Sequence, residues 1–234
     1  MNGKKRFLSG IVTVTMLFSL VFTSVEAKES TKIERNPELK LVTEDRIDEL
    51  VDAIDYNQEY LRAKAGVSDI PIDKELLESC TATLTDAEGN ANKLNTYVTV
   101  KELGQIQRAN EYSNIYSMTV FSDTATKTDS GTAQKYNTMA YGTVTWIDNL
   151  GMANELVEVS GGWNPGYKEQ LLNRKVRYGA NTNSMDTTLS FTTNSNSFHK
   201  YANSKMVGWV LFLDTYVEVN GGLLNLYVTS GLFT

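Results

Sequence analysis

The chain has 234 residues, a formal net charge of −6, one histidine and one cysteine. An acidic balance argues against nucleic acid as a partner, because that surface demands clustered Lys and Arg. A lone cysteine excludes an intrachain disulfide, a lone histidine excludes His-pair zinc motifs, and no cofactor or metal motif is found.

The N-terminus is the clearest signal. Lys4, Lys5 and Arg6 precede an apolar run from Phe7 to Val25, and Val25-Glu26-Ala27 fits a small-x-small cleavage site. A secretory signal peptide is expected over residues 1–27, cleaved after Ala27. No cysteine follows it to carry a lipid, and the terminal LYVTSGLFT has no base-flanked apolar tail. The expected location is therefore extracellular, with no stable membrane anchor. The asparagines form no Asn-x-Ser/Thr sequon, which points towards a bacterial exporter.

Acidic residues crowd the segment that follows. Residues 28–66 read as a charged N-terminal segment with a helix over about 43–64. Thr43 is the expected N-cap, Glu44 and Asp45 suit the positive end of the helix dipole, and Arg62 and Lys64 suit the negative end. Ile47, Leu50, Val51, Ile54 and Leu61 recur at helical spacing as one apolar stripe, and Gly66 offers a stop. The stripe needs a partner surface, either the sheet of the same chain or another protein.

From Cys80 the period changes from helical to alternating, and residues 67–234 read as one antiparallel β domain. CTATLT alternates Cys80, Ala82 and Leu84 with threonines, and DAEGN supplies a turn before KLNTYVTVK. Asp86, Glu88 and Asn90 of that turn lack the remaining spacing of a calcium loop. IYSMTVFS, AYGTVTWID, NELVEVSGGW, RKVRYG and TTLSFTT continue the pattern. MVGWVLFL is apolar on both faces and reads as a central strand. Asn220-Gly221 signals a two-residue hairpin turn, with Val219 opposite Gly222, Val217 opposite Leu224, Thr215 opposite Leu226 and Leu213 opposite Val228. The fold class is mainly β: an antiparallel β-sandwich, or partly open barrel, preceded by one amphipathic α-helix.

Chemistry is sparser than structure. GGWNPG places Trp163 on a strand face shared with Val157, Val159 and Gly161, just before a Pro-Gly turn. That position suits a corner plug; exposed, the ring would instead join Trp146 and Tyr167 as a platform for stacking a sugar. His199 could act as a base for Cys80 or a serine, but no nucleophile elbow accompanies it. Ser197 to Lys200 matches S-x-x-K without its companion motifs. Asp148, Glu155 and Glu158 flank one hairpin and Asp214 shares a strand face with Glu218, so a pair of these acids could reach glycosidase separation.

The stretch YGTVTWIDNLGMANELVEVSGGW, with NRKVRYG and the terminal strands, resembles a β-rich C-terminal segment of uncharacterised secreted proteins of Gram-positive bacteria, over residues 136–234. The resemblance implies an extracellular β fold and carries no catalytic role. Three function classes remain. The first is a secreted, non-enzymatic binding or interaction protein whose partner is a carbohydrate or a protein at the cell surface. The second is a secreted glycosidase-like hydrolase using paired carboxylates. The third is a membrane-active β-toxin, suggested by the hydroxyl-rich SDTATKTDSGTAQKYNT.

Overall fold

The computed structural model describes residues 33–129, 132–149, 152–182 and 186–230. The leader expected over residues 1–27 lies outside the described residues. A two-residue strand, β1 (Leu41–Val42), is followed by a 3-10 turn (Glu44–Arg46) and by helices α1 (Asp48–Val51), α2 (Tyr56–Lys64) and α3 (Lys74–Ser79). The helical region expected over 43–64 is thus interrupted after Val51. Asp55 causes the break: its backbone is extended, and its carboxylate accepts from the Asn57 and Gln58 N–H groups, capping a new helix. Thr43 makes no side-chain cap bond.

The interruption resets the helical phase. Ile47, Leu50, Val51 and Ile54 keep their buried stripe, but Leu61 is 59% exposed. The inward position goes to Glu59, whose carboxylate meets Lys101 at 3.1 Å and Arg62 at 3.4 Å. Gly66 ends α2 at φ 67°, in the left-handed region. There its N–H bonds to the Ala63 carbonyl and that of Val67 to the Arg62 carbonyl, the pattern that satisfies a helix C-terminus when glycine follows it.

The remaining strands are β2 (Thr81–Thr85), β3 (Ala91–Leu94), β4 (Thr96–Arg108), β5 (Glu111–Ser122), β6 (Ala125–Asp129), β7 (Thr132–Tyr136), β8 (Met139–Ile147), β9 (Asn154–Asn164), β10 (Leu171–Asn181), β11 (Asp186–Thr193), β12 (Ser197–Gly208), β13 (Val210–Val219) and β14 (Gly222–Thr229). They build two six-stranded sheets. Sheet A has the order β1-β4-β5-β8-β9-β12 and sheet B the order β11-β10-β13-β14-β2-β3, while β6 and β7 form a separate hairpin. Apart from β1, which pairs parallel to β4, every pairing in both sheets is antiparallel. The mainly β sandwich is the architecture that the alternating pattern requires.

Two apolar clusters hold the layers together. The larger fills the space between the sheets with Val100, Met118, Val144, Leu213, Leu226 and their neighbours. The smaller lies on the other face of sheet A, where Ile47, Leu50, Val51 and Ile54 cover Ile106, Ile115 and Ile147. The helical stripe therefore docks on its own sheet. The last hairpin has the expected register throughout, from Val219 opposite Gly222 to Leu213 opposite Val228. Asn220 at φ 49° and Gly221 at φ 84° form the turn that matches strand twist.

Two local features depart from simple alternation. Glu158 pairs with Thr145 while Leu156 pairs with Trp146, so Val157 is bulged out of the ladder. The bulge moves Val157 off the face of Val159 and Trp163 and into the cluster under the helices. MVGWVLFL, in turn, is two strands: Met206 to Gly208 end β12 in sheet A, and Val210 begins β13 in sheet B. Gly208 permits the corner because a Cβ there would press on the Asn181 backbone, whose carbonyl accepts the Trp209 N–H at 2.9 Å.

Candidate functional site

Sheet A, α2 and the corner after β9 enclose an open groove of about 630 Å³. One wall is aromatic. Tyr56 and Tyr60 come from the first turns of α2, Tyr141 from β8 and Phe121 from the end of β5. The rings support one another, with Tyr56 and Tyr141 centroids 5.0 Å apart and Tyr60 meeting Phe121 edge-on at 5.3 Å. Capping by Asp55 decides where α2 starts, and hence which way these two tyrosines face.

Much of the remaining lining is amide and hydroxyl. Asn57, Asn137, Asn164 and Asn196 contribute to it with Thr124 and Ser197. Its shape is fixed by Glu169, whose carboxylate accepts from the Asn137 N–H at 2.6 Å, the Thr138 hydroxyl at 2.6 Å and the Gly166 N–H at 3.0 Å. One side chain therefore ties the Asn164-Pro165-Gly166 turn to the adjacent entry of β8. Among the described residues, no side chain lining the groove is charged.

Trp163 borders the groove, with its ring in the core between the sheets. It is 1% exposed and packs against Phe198 at 5.6 Å. Gly161 and Gly162 make room: a methyl at Gly161 would run into the Tyr141 carbonyl and the Phe198 ring, and one at Gly162 into the Asn196 carbonyl. The structure places Trp146 at 1% exposure as well, with no open face for stacking, whereas Tyr167 is 86% exposed. These three rings do not form one surface. The indole Nε1 of Trp163 is buried without a hydrogen-bond partner.

The carboxylates are dispersed. Glu155 pairs with Arg108 at 2.7 Å, which also reaches Glu44 and so anchors the N-terminal turn. Asp148 follows β8 in the loop, where its N–H bonds to the Asn114 carbonyl. On the outer face of sheet B, Asp214 is buried and accepts from Tyr216 Oη and Asn225 Nδ2, each at 2.6 Å, with Arg177 at 3.1 Å. Glu218 accepts from Asn173 Nδ2. None of the five lines the groove. Among the described residues no group of His, Cys, Asp and Glu gathers as a metal site needs.

Glu158 stands apart from the other acids. It is fully buried on the helical side of β9, and neither carboxylate oxygen has a hydrogen-bond partner. The Nε2 of His199 lies 3.2 Å from Oε1 without meeting hydrogen-bond geometry. Burial pushes this carboxyl up to about 7; the nearby Ser160 hydroxyl opposes the rise, and the charge of Asp52 adds to it. Burial likewise raises the Tyr56 hydroxyl, which shares a hydrogen bond with Ser160 at 2.8 Å.

Sequence reasoning missed the groove because its residues come from α2, β5, β8, β9 and the loop before β12. The amide-rich part of the lining was visible only as loop composition. No family model, curated protein or solved structure matches this chain.

Proposed function

We propose that the protein is an exported, non-enzymatic binding protein whose groove takes an uncharged saccharide, such as a chain of cell-surface carbohydrate. The observation that carries this reading is the lining itself: aromatic rings together with four asparagine amides and, among the described residues, no charged side chain. Sugar rings present C–H faces that pack on aromatic side chains, and their hydroxyls need partners that both donate and accept. An amide does both at once. A groove of this size and character suits a few sugar units better than an ionic ligand, which would require a countercharge. The basic and then apolar N-terminus supports export.

Hydrolysis is the weaker reading. A glycosidase needs two carboxyl groups flanking the scissile bond, and among the described residues the groove lining has none. Calorimetric titration with cello-oligosaccharides and chito-oligosaccharides tests the proposal. Saturable binding by the wild type, lost in Tyr60→Ala, is the expected result. Release of reducing sugar would favour the hydrolase, and absence of binding to both series would overturn the saccharide reading.

A further inference from the structure

We propose that Glu158, His199 and Asp52 form a pH-sensitive latch that seats the helical segment on sheet A and thereby regulates the groove. The regulation rests on the saccharide reading for its consequence, but the latch itself does not. Three observations place it. The bulge at Val157 turns Glu158 to the helical side of β9, where it is fully buried. Neither of its oxygens has a hydrogen bond of good geometry, with only the Ser160 hydroxyl near enough to favour the charge, and the Oγ1 of its cross-strand neighbour Thr145 is buried and unpartnered as well. The imidazole of His199 bridges outward, with Nε2 3.2 Å from Glu158 and Nδ1 3.9 Å from Asp52 in the connection between α1 and α2.

Every titratable neighbour bears on the direction. Asp52 and, further out, Asp48 bring negative charge from the helical segment. Tyr56 comes from α2, while His199 and Tyr201 come from β12, with the Tyr201 ring 4.5 Å from the imidazole. Burial pushes Tyr201 up to about 12, and Glu158, Asp52 and Asp48 add to it, so this hydroxyl stays neutral across the working range. The described part of β8 offers Thr143 and Thr145. Against an ionised Glu158 stand its burial and two acids, and only the Ser160 hydroxyl and the imidazole favour it. A neutral Glu158 fits; a charged one is under-solvated and repelled.

The sign follows from linkage. The seated carboxyl holds its proton up to about pH 7, whereas an unseated, hydrated one loses it near the ordinary value of 4.5. Seating is therefore complete in acid, weakens as pH rises between those values, and is level above them. Because α2 carries Tyr56 and Tyr60, unseating removes two rings from the groove wall. Affinity should fall from acidic to neutral medium.

Hydrogen exchange of the α2 amides at about pH 5 and about pH 8, corrected for intrinsic rates, tests the latch without any ligand. Wild-type protection should drop at least about tenfold, since each pH unit below the raised value is worth about one decade. Glu158→Gln should show no such drop. Asp52→Asn, an exposed change that leaves the core alone, should move the midpoint to lower pH. A pH response identical in wild type and Glu158→Gln, or no wild-type response, would overturn the latch. Chitohexaose titrations run alongside separate the two ideas. Exchange that responds while no sugar binds at either pH keeps the latch and rejects the saccharide; equal binding at both pH values with level exchange does the reverse.

Discussion

The hydroxyl of Tyr56 and that of Ser160 lie 2.8 Å apart, joining the first turn of α2 to β9 directly beside the groove. The bond has a specific position: Ser160 follows the bulged Val157 by three residues, and Tyr56 follows the Asp55 cap by one. Both local features are needed to bring the pair together. Tyr56→Phe should cost about 1 kcal/mol, the usual value of one hydrogen bond with a buried partner left unpaired. Urea denaturation measures it, and an unchanged midpoint would show that the bond contributes nothing.

Global stability should also depend on Glu158. Its folded carboxyl sits at about 7 against an ordinary 4.5, so its contribution is fully present in acid and is lost as pH rises to about 7. The loss is on the order of 3 kcal/mol at most. Denaturation midpoints followed across this range should fall in the wild type and fall less in Glu158→Gln. A steeper fall in the variant would contradict the assignment.

Trp163→Ala should cost about 3 to 5 kcal/mol, as expected for a large aromatic removed from a close-packed core. Trp163→Phe should cost markedly less, because the indole N–H that it deletes has no partner to lose. If the alanine variant were as stable as wild type, the indole would not be a core element.

Cys80 is 1% exposed between α3 and the sheet B core, and burial pushes its thiol up. Both effects suppress thiolate chemistry. A thiol reagent should label the native protein slowly and the denatured protein fast. Equal rates would mean that this edge of the sandwich opens readily.

Much of the fold was legible in the sequence because strand alternation and turn chemistry are local. Asn220-Gly221 dictates its hairpin residue by residue, since a slip by one would turn Val217 and Leu224 to the wrong face. The interruption between α1 and α2 was less legible: Asp55 reads equally as a helix-surface acid and as a cap, and only the tertiary packing of Tyr56 and Glu59 decides. The bulge at Val157 has no sequence mark, yet it determines the environment of Glu158. The groove was illegible for a further reason. Tyr60, Tyr141 and Asn196 are far apart in the chain, and their meeting depends on how α2 lies on sheet A.

The most direct test of the saccharide groove is the location of the bound sugar. Side-chain amide and ring resonances should be followed during titration with whichever of the cello- or chito-oligosaccharides binds. Shifts should concentrate at Asn137, Asn164, Asn196, Tyr60 and Tyr141. A perturbation confined instead to Lys175, Arg177 and Tyr216, which line a separate depression on sheet B, would place the ligand elsewhere and contradict the account.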